Sequence, residues 1–139
     1  PNKYIFWSFC VGVMILVFLK STNRDLNLRE IFWITYLFVI SLVEEITFRL
    51  SIPLVATEFF GIGLFWFYVF LSNTLFAIIH YFTLRWKIRA CILAFLGGMA
   101  FSRLFETTED LALVIILHWA ITFLNTPTPP KIENLATKN

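Results

Sequence analysis

Five long apolar runs, at about Tyr4 to Leu19, Ile31 to Leu50, Gly61 to Phe82, Ile88 to Phe105 and Leu111 to Thr126, occupy most of the 139-residue sequence. Most approach the roughly 20 residues a helix needs to cross a hydrocarbon layer, and the shorter ones fit with snorkelling ends. In lipid the backbone has to satisfy its own N–H and C=O groups, so the runs are expected to be helices rather than open strands. With 59% hydrophobic and only 14% charged residues, the chain has far more apolar surface than a soluble core of this size can hide; about 25% charged is usual. The expectation is an all-α integral membrane bundle of about five transmembrane helices. Residues 1–126 form its single helical domain, and the polar, Pro-rich stretch 127–139 follows as a flexible tail.

The connections supply an orientation. Lys20, Arg24 and Arg29 fall in residues 20–30 and Arg85, Lys87 and Arg89 in 83–89, whereas 51–60 carries no Lys or Arg and 106–110 only acids. Basic residues therefore alternate with the helix count, which predicts a cytoplasmic C-terminus; Lys3 and Arg103 run against the pattern. The net charge of +2 sits in these short clusters, so it does not point to nucleic acid, and the expected partner is the bilayer, in a prokaryotic inner (plasma) membrane. Cys10 and Cys91 lie within apolar runs and read as packing residues.

Ionisable side chains at membrane depth cost at least ~2.5–3.5 kcal/mol each at a helix centre, which makes them functional candidates by default. Glu44, Glu45 and Arg49 interrupt the second run, Asn73 and His80 the third, Arg103 the fourth, and His118 with Thr122 and Asn125 the fifth. Glu45 and Arg49 are four apart, share a helical face and are expected to pair. Glu44 is turned about 100° away, free to point into a polar cavity. An Arg–Glu–Glu cluster that merely bridges helices is the plainer alternative. Asn73 lies two turns before His80 on one face, and Thr122 and Asn125 fall on the face of His118; three polar stripes on three helices most economically converge on one site.

Glu44-Glu45-Ile46-Thr47-Phe48-Arg49 reads EExxxR, Phe76-Ala77-Ile78-Ile79-His80 reads FxxxH, and a helix with Gly97-Gly98 and then one with His118 follow. This order and spacing resemble the CPBP family of intramembrane proteases, which includes the type II CAAX prenyl endopeptidases and bacteriocin-processing or self-immunity proteins. The resemblance covers about residues 40–126, the expected catalytic core. Many members continue the last motif as HxxxN, where this chain has Thr122. The resemblance implies an intramembrane endopeptidase acting on a membrane-associated protein or peptide. In it Glu44 and His80 hold and deprotonate a water, His118 with Thr122 or Asn125 faces the oxyanion, and Glu45 and Arg49 (with Asn73) support Glu44. Glu44 with two histidines would also suit zinc with one open position. The family is more often described as glutamate-dependent, so no metal or other cofactor is expected.

Two other classes remain open at this point. A catalytically silent relative would serve as an immunity or binding protein, and two histidines on separate helices suit axial ligation of a haem, which leaves Glu44, Glu45 and Arg49 unexplained. The run boundaries also raise a question of depth. Glu44 lies toward the outer half of its run and His80 near the basic end of the next. Direct cooperation therefore requires a later start to the second helix, a longer third helix or strong tilts.

Overall fold

The computed structural model of the protein describes residues 2–130. Six α-helices follow one another: α1 (Asn2–Ser21), α2 (Leu28–Glu45), α3 (Ile52–Phe60), α4 (Phe65–Thr83), α5 (Ile88–Thr108) and α6 (Leu111–Asn125). A π-helical stretch, Ile46–Ser51, joins α2 to α3, and a 3₁₀ turn, Ile62–Leu64, leads into α4. No strand occurs among the described residues. Four helical runs are long and apolar enough to cross a membrane, Asn2–Ser21, Leu28–Phe60, Ile62–Thr83 and Ile88–Thr108, while α6 is a shorter apolar helix. The chain is an all-α integral membrane bundle. The expected flexible tail lies, from residue 131 on, outside the described residues.

The largest difference from the sequence reading is the second run. Expected to end at Leu50 before a connection at 51–60, it is instead one helix from Leu28 to Phe60. Pro53 is where a helix ordinarily breaks, because its ring clashes with the carbonyl four residues back and it has no N–H to donate. The chain absorbs it by widening the preceding turn: the Ile52 N–H donates to Thr47 O, five residues back. In that register Phe48 O should receive the N–H of residue 53, which proline lacks. Ser72 Oγ donates to it instead, at 2.6 Å. The helix ends where Gly61 adopts φ 87° and its N–H closes on Thr57 O at 2.8 Å.

The residues divide into two compact units, one drawn from 1–42 and 115–139 and the other spanning 43–114. In the first, Val11, Ile15 and Leu19 of α1, Leu37 of α2, and Ile116, Ala120 and Phe123 of α6 form a buried cluster flanked by Trp33 and Trp119. Helix association in lipid depends on packing and hydrogen bonds rather than on water exclusion. Accordingly both indoles find carbonyls: Trp33 Nε1 donates to Thr126 O at 2.8 Å and Trp119 Nε1 to Ile34 O at 3.1 Å. Asn27 caps α2 by accepting the Glu30 N–H at 2.9 Å. Arg24 bonds Thr128, and Arg29 donates to Pro130 O at 2.6 Å, so the residues just after α6 are held to the α1–α2 connection.

In the second unit, α4 packs most extensively against α5 and next against α3. Phe48 and Phe76 meet edge to face at 5.1 Å, as do Phe70 and Phe95 at 5.3 Å. Left-handed residues end two of its helices: Arg85 follows α4 and Glu109 caps α5, both at φ 53°.

Candidate active site

The two adjacent glutamates have different surroundings. Glu45, the last residue of α2, is wholly buried, and its Oε2 lies 3.2 Å from Arg49 Nε. The Arg49 guanidinium is held in the π-helical stretch and rests 4.6 Å above the Phe76 ring. A cation over an aromatic face in a dry site is attracted by the ring quadrupole, so α4 helps to fix the cation that accompanies Glu45. Glu44 keeps 19% of its side chain exposed, and its Oε1 lies 3.3 Å from His80 Nε2. This division between a buried acid with Arg49 and a more accessible acid is the one expected from the helical spacing.

His80 sits between two aromatic rings, Phe76 at 4.3 Å and Trp86 at 4.6 Å between centroids. Its Nδ1 lies 2.8 Å from Phe76 O. A carbonyl can only accept, so Nδ1 carries a proton and the neutral ring has its lone pair on Nε2. A lone pair facing a carboxylate is unfavourable unless a proton lies between them. The Glu44–His80 pair therefore holds one shared proton, as carboxylate with imidazolium or as carboxylic acid with imidazole. Both His80 nitrogens are engaged in this way.

The question of depth resolves with the longer helix. Leu28–Phe60 has 33 residues, so Glu44 is at its middle rather than near its outer end. His80, in the last turn of α4, meets it there directly.

Three further residues complete the buried polar cluster. Asn73 is fully buried; its Nδ2 donates to Val69 O and to Ser102 Oγ, both at 2.9 Å. Gly98 lies beneath it: a Cβ built there would come within 2.2 Å of Asn73 Oδ1 and 2.8 Å of Arg49 Nη2. Asn73 and Arg49 thus occupy the space that any side chain at position 98 would need. Ser72, Ser102 and Gly98 were not singled out as site residues by the sequence reading. The signal was a small-residue spacing, Gly98 and Ser102 four apart on α5, whose meaning depends on what α4 presents to it.

His118, Thr122 and Asn125 lie on α6 within the other unit. His118 and Thr122 are half-buried and Asn125 is exposed. Arg103 does not join the cluster; it is exposed, pairs with Glu106 at 2.9 Å and lies 5.7 Å over the Trp66 ring. Among the described residues no three His, Cys, Asp or Glu side chains are grouped to hold a metal ion.

The sequence matches the family described as type II CAAX prenyl endopeptidase Rce1-like over residues 27–124. No curated protein and no solved structure matches it. The matched span takes in Glu44, Glu45, Arg49, Asn73, His80, His118 and Thr122, and stops just short of Asn125. A membrane-crossing bundle with an acid–histidine pair inside it agrees with that match, and the chain belongs to the Rce1-like family of type II CAAX prenyl endopeptidases.

Proposed function

We propose that the protein is an intramembrane endopeptidase that cleaves a peptide bond of a membrane-associated protein or peptide with water activated by Glu44 and His80. The observation that carries this reading is the 3.3 Å approach of Glu44 Oε1 to His80 Nε2, with His80 oriented by Phe76 O. With the shared proton on His80, Glu44 is the base. It takes a proton from water as the hydroxyl adds to the scissile carbonyl, and the C–N bond breaks as His80 Nε2 protonates the leaving amine. The proton held by Glu44 then returns to His80, and the pair is restored. His118, with Thr122 or Asn125, is assigned to the oxyanion by the order of motifs in the sequence. Arg49 and Glu45 hold the helix turn that carries Glu44. We assign the reaction no metal, following the glutamate-dependent description of the family that the motifs resemble. The chain is assigned to a prokaryotic plasma membrane with its C-terminus on the cytoplasmic side, following the alternation of basic connections.

The test is hydrolysis of a prenylated CAAX peptide by the full chain in vesicles. Glu44→Gln and His80→Gln are each expected to lower kcat by about 10²–10⁴-fold, the usual contribution of a positioned acid or base. Retention of wild-type turnover by Glu44→Gln refutes the mechanism. Loss of turnover on chelation, restored by zinc, refutes the metal-free assignment.

A further inference from the structure

On α4, Thr74, Ala77, Ile78 and Tyr81 form a stripe roughly 110° around the helix from that of Asn73, Phe76 and His80. This stripe faces Ile88, Cys91, Ile92 and Phe95 of α5 across an apolar groove of about 310 Å³. Ile78, Tyr81, Ile88 and Ile92 are exposed along it, while Cys91 is buried. One end of the groove, at Tyr81 and Ile88, is the α4–α5 connection. Arg85, Lys87 and Arg89 cluster there, and the sequence has no Asp or Glu between Glu58 and Glu106. None of the three forms an ion pair among the described residues. On the other basic connection, by contrast, Arg24 and Arg29 are held by Thr128 and Pro130 O.

The same connection touches the candidate active site. Trp86, between Arg85 and Lys87, lies with its ring centroid 4.6 Å from that of His80, the two planes tilted by 49°. The Leu84 N–H donates to His80 O at 3.1 Å, and Cys91 Sγ lies 3.9 Å from Trp86 O. The positive-inside rule explains the sign of the connection. It requires neither an apolar groove leading away from it nor a tryptophan seated on His80.

We propose that this groove and connection form a binding site for an anionic phospholipid. One acyl chain lies in the groove, and the phosphate sits against Arg85, Lys87 and Arg89. Occupancy holds Trp86 against His80 and raises turnover, a consequence that rests on the Glu44–His80 reading of the catalytic site. Each basic residue near an anionic headgroup is worth about fivefold in affinity, so three give a preference of about 100-fold for the anionic lipid over a zwitterionic one.

The test uses the full chain with Cys10→Ser, reconstituted in phosphatidylcholine vesicles with or without phosphatidylglycerol. Two quantities are read: alkylation of Cys91 by a membrane-permeant maleimide, without substrate, and hydrolysis of a prenylated CAAX peptide. Phosphatidylglycerol is expected to slow Cys91 labelling about tenfold and to raise turnover severalfold. The Arg85→Gln/Lys87→Gln/Arg89→Gln variant should lose both responses while keeping wild-type turnover in phosphatidylcholine. Labelling that ignores lipid charge, or a triple variant that still responds, overturns the site. So does protection of Cys91 by the prenylated peptide in phosphatidylcholine, which would assign the groove to substrate. Protection by phosphatidylglycerol without any hydrolysis in either lipid supports the site and refutes the protease reading instead.

Discussion

Gly97 and Gly98 are neighbours on α5, yet a methyl group is expected to act oppositely at the two. At Gly97 a Cβ meets nothing within 4 Å. Alanine there removes backbone freedom from a helix interior and should stabilise by about 0.5–1 kcal/mol. At Gly98 the same atom comes 2.2 Å from Asn73 Oδ1, 3.1 Å from its Cγ and 2.8 Å from Arg49 Nη2. Asn73 then has to move by about 1.2 Å to reach the 3.4 Å at which ordinary van der Waals contact begins. It is tied by bonds of 2.9 Å to Val69 O and Ser102 Oγ. Overpacking a dense interior costs about 1–3 kcal/mol, and each strained buried hydrogen bond about 1 kcal/mol more. Together these outweigh the propensity gain and leave Gly98→Ala destabilised by about 2–4 kcal/mol. Because Arg49 is displaced along with Asn73, turnover should fall while KM changes little. The assay is thermal unfolding in detergent, followed by tryptophan fluorescence, with prenylated-peptide hydrolysis alongside. A separation of roughly 5–20 °C between the two variants is expected. Equal stability and equal activity for Gly97→Ala and Gly98→Ala would refute the claim that Gly98 holds Asn73 and Arg49 in position.

Two further expectations can be measured in the same way. Ser72→Ala leaves Phe48 O without its 2.6 Å donor and should cost about 1–3 kcal/mol; adding Pro53→Ala supplies an N–H for that carbonyl and should recover most of the loss, whereas two additive losses would count against the π-helical account. Arg49→Ala removes the cation beside the fully buried Glu45 and should destabilise by about 3–5 kcal/mol, while Arg49→Lys, which keeps the charge but not the flat contact with Phe76, should lose distinctly less in the same unfolding assay.

The parts of the site visible in the sequence were those set by spacing along one helix. Glu45 and Arg49 four apart, with Glu44 turned away, is a statement about a single turn, and it holds in the structure. A lone histidine near a helix end reads by itself as a core or interfacial residue, and His80 was visible through the FxxxH spacing that follows EExxxR. The reach of the second helix was not visible. A proline eight residues after Glu45 reads locally as a stop, and only Ser72, on another helix, provides the hydrogen bond that lets the chain continue. The same holds for Gly98: nothing in its own neighbourhood distinguishes it from Gly97, and the difference lies in the Asn73 amide that α4 brings over it. Bringing the acid to the height of His80 needed the longer helix, because a helix ending at Leu50 would leave them at different heights.

The uneven lengths of the helices bear on the membrane itself. The Leu28–Phe60 run has 33 residues and α6 has 15. At 1.5 Å per residue these are about 50 Å and about 22 Å, against a hydrocarbon thickness of about 30 Å. No flat bilayer matches both. The long run is accommodated by leaning or by pushing its ends into the headgroups, and a helix as short as α6 by snorkelling ends or a locally thinner layer. A layer of about 30 Å therefore leaves about 20 Å of the long run to be taken up in tilt or within the headgroup region.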